Sequence, residues 1–509
     1  MRGPILAGLA AAFQVLLFPP HALGGLAWVA LVPLLVALDG VAAGAAAATG
    51  WIFGSAAAFG LVTGWLWPAL AEFFGAPLAT RVGLLALAVQ LGGGLPLAAF
   101  GVVVARTTAA GPVVRVLLVA AAWTAIEYGR GRFPYAIPWA PLGAAIPPDG
   151  VVAQTADLGG VHLVSFALAA ANAALAVAWT SLRTGRVRSA IAALAAGIVV
   201  VSAAAGYGGW RRAEVARAMA IAPTLRIALV HAELENARRQ GAMSAHAALD
   251  DWIAESPPAG SVDLVVWPEN AVNLLLDENP ALVARIAAHA GATPYLVGAP
   301  RAIVADGRPT LRTSALVIEN GAVRAAYDKR RLLPFAETMP SWRGAGQAAP
   351  SDFTPGAIPT VLVVQGRRLG PLICYEAIFP ELARDTVRAG AEILVNVSND
   401  SWFPPGAGPG QHVSLALLRA VELRRTLVRA ANRGITTVVL PDGRRTVVTD
   451  GRTPGVEIVD VPLMDSPTVY AAAGDVFAGL CVLATGIAAV VRRRNPRREP
   501  QGHRVSRPS

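Results

Sequence analysis

The sequence predicts a polytopic α-helical membrane protein of about eight helices that carries one α/β domain. Three observations predict it. Only 15% of the 509 residues are charged and 54% are apolar, with a mean hydropathy of +0.51, so the average residue prefers lipid to water. The chain up to about Gly206 is a succession of apolar stretches separated by short polar breaks. From about Trp210 to Pro467, short Val, Ile and Leu runs alternate with helical stretches and Gly/Pro turns. A disordered chain and an ordinary soluble enzyme are both excluded.

The elements follow in order. Seven apolar stretches, at about 4–19, 23–39, 43–67, 83–105, 113–129, 159–180 and 189–206, each suffice to cross a hydrocarbon core with some tilt. Arg2 before the first gives it the look of a signal peptide, but it runs almost directly into the second and reads as an uncleaved anchor. In the α/β region the strand candidates are 225–230, 262–266, 315–318, 369–373 and 393–397. A last apolar run, 470–491, returns the chain to the membrane. The expected division is a membrane domain over 1–208, a catalytic domain over 220–467, a final span over 468–491 and a basic cytoplasmic tail over 492–509.

Charge sets the orientation. The net charge is +10, and Arg492, Arg493, Arg494, Arg497, Arg498, Arg504 and Arg507 follow the last apolar run, a pattern that favours an anionic membrane surface over nucleic acid. Arg106 and Arg115 follow the fourth stretch, and Arg183, Arg186 and Arg188 the sixth. Even-numbered breaks and the tail are therefore cytoplasmic, and the α/β domain lies outside. Arg130, Arg132, Arg211 and Arg212 run against that rule.

The chemistry is concentrated in three segments. A strand ends in Trp267-Pro268-Glu269-Asn270, which puts a carboxylate at a strand's C-terminal edge. Of the 43 basic residues 42 are Arg, and the one Lys, Lys329, stands in Tyr327-Asp328-Lys329-Arg330-Arg331. A second strand ends in Cys374-Tyr375-Glu376. Alone, Glu269 reads as a capping carboxylate, Lys329 as a solvated charge and Cys374 as a small core residue. Together they supply a base, a compact cation and a nucleophile, and the cation is expected to hold the thiol near its thiolate form. With only Cys374 and Cys481 present, a disulfide framework and a cysteine metal cluster are both excluded, and no metal is assigned.

These segments, in this order, resemble the Glu-Lys-Cys triad of the carbon-nitrogen hydrolase (nitrilase) superfamily. Within it, the polytopic layout resembles the apolipoprotein N-acyltransferase family, as do Asn399-Asp400-Ser401-Trp402-Phe403, Gln411-His412, Arg419-Ala420-Val421-Glu422 and Arg429-Ala430-Ala431-Asn432-Arg433-Gly434. Trp123, Glu127, Arg130 and Pro138-Trp139 match in the membrane part. The resemblance implies an αββα sandwich on eight membrane helices. It makes Cys374 the nucleophile, Glu269 the general base, Lys329 the oxyanion-stabilising group, Glu337 a further active-site glutamate, and Tyr375 and Glu376 flanking residues. The chain departs from the family at Ala336, Thr338 and Met339, around His231, and at Ala144 or Ala145.

The reaction so implied is a two-step acyl transfer in a bacterial cytoplasmic (inner) membrane. Cys374 takes an acyl group from a phospholipid and passes it to the N-terminal amine of a diacylglyceryl-modified lipoprotein, with no metal or organic cofactor. The alternative is a membrane-anchored amidase that releases its acyl group to water. Candidate substrate-binding residues are Trp402, Trp139, Glu127 and Arg130. The outward aromatics Trp65, Trp67, Phe73, Phe74, Phe133, Tyr135 and Trp139 fit an interfacial belt or a substrate gate, and Glu127 with Arg130 fits a headgroup site or a structural ion pair. Cys481 reads as packing, and Asp475 is assigned no chemistry.

Overall fold

The computed structural model describes residues 2–132, 138–231, 244–305, 308–334, 337, 353–450 and 453–491. The basic tail, Phe133, Tyr135, residues 232–236, Ala336, Thr338 and Met339 lie outside the described residues.

The apolar stretches form α1 (Arg2–Leu16), α2 (Val32–Ala37), α3 (Ala43–Pro68), α4 (Leu78–Val89), α5 (Leu95–Arg106), α6 (Pro112–Arg130), α7 (Ala156–Arg183) and α8 (Val187–Ile221). A wide turn, Gln90–Gly94, joins α4 to α5, and the pair makes one continuous apolar rod. Among the described residues five helical segments are long and apolar enough to cross a membrane, and three more, including one near the C-terminus, are shorter. Leu87, Leu91, Ile191, Ile198 and Val199 stand exposed on these helices, as expected of side chains that meet acyl tails.

Three expected spans differ in detail. The second is split into a 3₁₀ turn, Gly24–Trp28, and α2, because Pro33 has no N–H to give and a helix restarts most easily at such a residue. The seventh runs on to Ile221, past its expected end at 206, so one rigid helix leads directly into the first strand. The last is broken at Gly474, whose φ of +65° interrupts α14 (Val469–Ala473) before α15 (Val476–Val491). A side chain there would collide with the Arg384 guanidinium.

The α/β domain holds twelve strands among the described residues, in two six-stranded sheets. The first has the order β12-β1-β2-β3-β4-β5, formed by β1 (Thr224–His231), β2 (Leu264–Val266), β3 (Tyr295–Ala305), β4 (Arg308–Glu319), β5 (Ala322–Asp328) and β12 (Gly455–Pro462). The second has the order β11-β10-β9-β8-β7-β6, formed by β6 (Leu362–Val364), β7 (Arg367–Ile373), β8 (Ile393–Asn399), β9 (Thr426–Asn432), β10 (Thr437–Val439) and β11 (Arg445–Val448). Each has a parallel centre, β1-β2-β3 and β7-β8-β9, and antiparallel edges.

Alternation along the strands sets the layers. Ile227, Leu229, Leu264 and Val266 turn toward Leu369, Ile373, Ile393 and Val395 of the second sheet. Ala228, Val230 and Val265 turn the other way, onto Leu249 and Trp252 of α9 (Ala245–Glu255) and Val283 and Ile286 of α10 (Pro280–Ala290). The second sheet is covered by α11 (Pro380–Arg388), α12 (Ala407–Ala416) and α13 (Leu418–Leu423). The result is the expected αββα sandwich, with its catalytic strand ends at the join to the membrane helices.

Candidate active site

Three chain segments converge. β2 ends at Val266, and the next turn carries Glu269 inward, 4% exposed. Gly298 on neighbouring β3 allows this, since a Cβ there would stand 2.2 Å from the Pro268 carbonyl oxygen and 2.6 Å from Glu269 Cα. Lys329 follows β5 directly and is 2% exposed. β7 ends at Ile373, and Cys374 opens the 3₁₀ turn Cys374–Ile378 with φ +55°, a left-handed conformation that costs a non-glycine residue strain. The buried thiol thus sits on a sharp, strained strand-to-turn bend.

The ion cluster is compact. Lys329 Nζ donates to Glu269 Oε1 at 2.8 Å and to Glu337 Oε1 at 3.0 Å. The second Glu269 oxygen accepts from the Asn399 backbone N–H at 2.9 Å, at the end of β8. Glu337 is itself held by Thr313 Oγ1 and the Leu333 N–H. The Cys374 thiol is within hydrogen-bonding reach of the Glu269 carboxylate and of the Ser398 hydroxyl. Glu376 faces away from the sulfur: it accepts from the N–H groups of Arg330, Arg331 and Ile373 and from Tyr327 Oη, tying the cysteine turn to the lysine segment. Tyr375 donates to the Leu332 carbonyl, and its ring centroid lies 5.8 Å from Lys329 Nζ.

Burial and charge set the protonation states. Burial pushes the Cys374 thiol well above its ordinary value, the Glu269 carboxylate pushes it further, and Lys329 only partly opposes them. The expectation of a resting thiolate is therefore corrected: burial first, and the Glu269 carboxylate second, outweigh the single ammonium. Burial likewise raises Glu269 above the usual carboxylate range against the pull of Lys329. Burial alone would lower Lys329, but Glu269 and Glu337 outweigh it and hold the ammonium well above its ordinary value. The site thus holds a neutral thiol within reach of the Glu269 carboxyl group, which in its ionised form can take the thiol proton.

A second buried network adjoins the sulfur. Arg429 on β9 donates to Ser398, to Asp400 Oδ2 at 2.8 Å and to Asn396. Asp400 Oδ1 meets His412 Nδ1 at 2.9 Å and accepts from Ser398. Asn396 in turn donates to the carbonyls of Leu372 and Cys374. Gly434 leaves room for Asp400, whose Oδ2 would stand 2.4 Å from a Cβ there.

The carbon-nitrogen hydrolase family model matches residues 216–469, and the apolipoprotein N-acyltransferase N-terminal domain model matches residues 10–174. An apolipoprotein N-acyltransferase of Geobacter metallireducens is 31% identical, over 96% of this chain and 95% of its own. One of Azotobacter vinelandii is 33% identical, over 98% and 96%. The chain belongs to the apolipoprotein N-acyltransferase family. Among solved structures, a nitrilase-superfamily protein of Saccharomyces cerevisiae aligns with a TM-score of 0.35 at 18% identity, covering 47% of this chain and 90% of its own.

The four candidate substrate-binding residues separate into two places in this family member. Trp139 and Trp402 gather around Trp65, with ring centroids 5.0 and 5.9 Å from it. Gln411 knits that cluster to the membrane helices, accepting from the Trp65 and Trp139 indoles and donating to the Pro19 carbonyl. Glu127 and Arg130 instead line a small recess with His162, Ile378, Leu415 and Arg419. They make no direct ion pair: Glu127 accepts from the Trp123 indole and the Leu142 N–H, and Arg130 donates to the Gly92 carbonyl.

Asn396, Asp400, His412 and Arg429 had no assigned role in the sequence reading, although Asp400, His412 and Arg429 fall in quoted segments. Their signal is an ionisable or amide side chain inside an otherwise apolar run, such as Arg429 within Leu427-Val428-Arg429-Ala430.

Proposed function

We propose that the protein transfers a fatty acyl group from a phospholipid, through a thioester on Cys374, to the N-terminal amine of diacylglyceryl-modified lipoproteins. The observation that carries this reading is the buried thiol beside the Glu269–Lys329–Glu337 cluster, in a member of the N-acyltransferase family, at the join between an α/β domain and apolar helices.

In the first half-reaction Glu269 takes the thiol proton as Cys374 Sγ attacks the ester carbonyl. Lys329, with a backbone N–H, stabilises the developing oxyanion, and Glu269 returns the proton to the leaving lysophospholipid oxygen. Glu337 orients Lys329, while Tyr375 and Glu376 fix the turn. In the second half the lipoprotein amine attacks the thioester and leaves as an amide. Long acyl chains cost about 0.8 kcal/mol per CH₂ to bring into water, so the thiol must be carried to the bilayer. Trp139, Trp402 and the recess of Glu127 and Arg130 are proposed to receive the lipids.

The reading places the catalytic domain outside a bacterial inner membrane. Its support is the arginine pattern together with contacts at one set of helix ends: Pro19 after α1, Trp65 late in α3, Asp157 at the start of α7, and Arg211 late in α8. The division into 1–208, 220–467, 468–491 and 492–509 is part of the same proposal.

Incubation of the purified protein with acyl-labelled phospholipid and a synthetic diacylated lipopeptide tests it. Labelled N-acyl peptide and lysophospholipid are expected. Labelled free fatty acid without N-acyl peptide would instead indicate the amidase-like, water-consuming alternative.

A further inference from the structure

His412 is a buried histidine with one nitrogen satisfied and one bare. It is 1% exposed, its Nδ1 lies 2.9 Å from Asp400 Oδ1, and its Nε2 has no hydrogen-bond partner. Arg429 holds Asp400 in its ionised form, with a pKa below the ordinary carboxylate range even against its burial. A carboxylate only accepts, so the imidazole proton sits on Nδ1 and Nε2 presents a lone pair. A buried acceptor without a donor carries an uncompensated desolvation cost, which an arriving donor would remove.

The position of that ring gives the donor a chemistry. A ring nitrogen of His412, an Asp400 carboxylate oxygen and Cys374 Sγ all lie within 4.8 Å of one another. The Arg429 guanidinium on Asp400 and the Lys329 ammonium beside Glu269 make this pocket unfavourable for a divalent cation. It suits a neutral N–H donor. An amine attacking a thioester on Cys374 must stand about 3 Å from the carbonyl carbon bonded to that sulfur. An amine held there comes within reach of the imidazole, a ring nitrogen of which lies within 4.8 Å of the sulfur.

We propose that His412 is the proton acceptor of the second half-reaction. The proposal rests on the acyl-transfer reading above. The neutral amine of the acceptor forms the C–N bond, its proton passes to His412 Nε2, and Asp400 stabilises the imidazolium. The C–S bond breaks, the sulfur leaves as a thiolate beside Lys329, and the imidazolium returns its proton to the sulfur. The amide product, the free thiol and neutral His412 balance the step. Glu269 serves the first half and His412 the second, so the two lipid substrates meet two different bases around one sulfur.

Two variants separate this from a packing role. His412→Ala removes the ring. His412→Asn keeps a donor for Asp400 at the place of Nδ1 and removes only the second nitrogen. Each is incubated with acyl-labelled phospholipid, and the Cys374 thioester is quantified by mass spectrometry. The preloaded protein is then mixed with a diacylated lipopeptide or with hydroxylamine, a nucleophile that is neutral at neutral pH and requires no base. Both variants are expected to transfer to lipopeptide about a hundredfold more slowly, with thioester formation falling far less and hydroxylamine cleavage close to that of the parent protein. Equal losses in both halves, or parent-like transfer in His412→Asn, would overturn the proposal. Failure of the parent protein itself to form a thioester would instead overturn the acyl-transfer reading on which it rests.

Discussion

Lys329 Nζ lies 2.8 Å from Glu269 Oε1, although 60 residues separate them in sequence (329 minus 269), and the same ammonium also grips Glu337. One short cation thus fixes two carboxylates beside the Cys374 sulfur. A planar guanidinium is longer and wider and cannot lie between them in the same place. Lys329→Arg is therefore expected to slow thioester formation by about 10²–10³-fold, the scale of losing one oxyanion donor, while the charge is conserved. Single-turnover acylation with labelled phospholipid measures it, and parent-like acylation in Lys329→Arg would contradict the assignment.

The acid limb of the pH profile reports on Glu269. Burial raises this carboxylate above its ordinary value, and it must be ionised to accept the thiol proton. Thioester formation is therefore expected to fall as pH drops through that raised value, with a midpoint above the usual carboxylate range. Lys329 is raised well above the ordinary lysine value, so the rate should hold on the alkaline side to about pH 10. The rate of acylation against pH checks both limbs, and a midpoint at the usual carboxylate value would argue against the buried geometry.

Gly298 is expected to matter more for activity than for folding. A methyl group there meets the Pro268 carbonyl and Glu269 Cα, so Gly298→Ala must push the base away from the sulfur. Acylation should drop by about a hundredfold, since displacements near 1 Å suffice for that. Comparing single-turnover rates with the thermal midpoint separates the two effects; a variant that loses stability but keeps its acylation rate would contradict the role given to Gly298.

The join between catalytic domain and membrane helices has its own ionic clamp. Arg424, fully buried, donates to Asp157 Oδ2 and to Gln154 at the start of α7 and to the Pro441 carbonyl, while Tyr207 and Arg211 of α8 reach the same Asp157. Arg424→Met leaves that buried aspartate short of its main partner, and the expected loss is about 3–5 kcal/mol. Denaturant unfolding in detergent measures it, and a loss below about 1 kcal/mol would remove the clamp from consideration.

Much of this arrangement is legible in the sequence because its signals are local. Hydropathy marks the apolar helices, and short Val, Ile and Leu runs mark β1, β7 and β8. The lone Lys329 among 42 Arg marks the ammonium that the fold places between Glu269 and Glu337. What sequence could not reveal depends on pairings made only in three dimensions. Arg132 and Arg211 run against the positive-inside pattern, yet in the fold each faces acid, Asp475 for the one and Asp157 with Glu214 for the other. One cation beside the thiol predicts a thiolate; the depth of burial and the Glu269 carboxylate reverse that balance. His412 and Asp400 meet only through the packing of α12 against the end of β8.

Trapping the acyl-enzyme is the most direct test of the chemistry assigned to Cys374. The protein is incubated with phospholipid and no amine acceptor, digested, and analysed by mass spectrometry. A fatty acyl mass on the Cys374 peptide, released by the lipopeptide and absent in Cys374→Ser, is expected. An unmodified Cys374 peptide in a preparation that still yields N-acylated lipopeptide would contradict the thioester route.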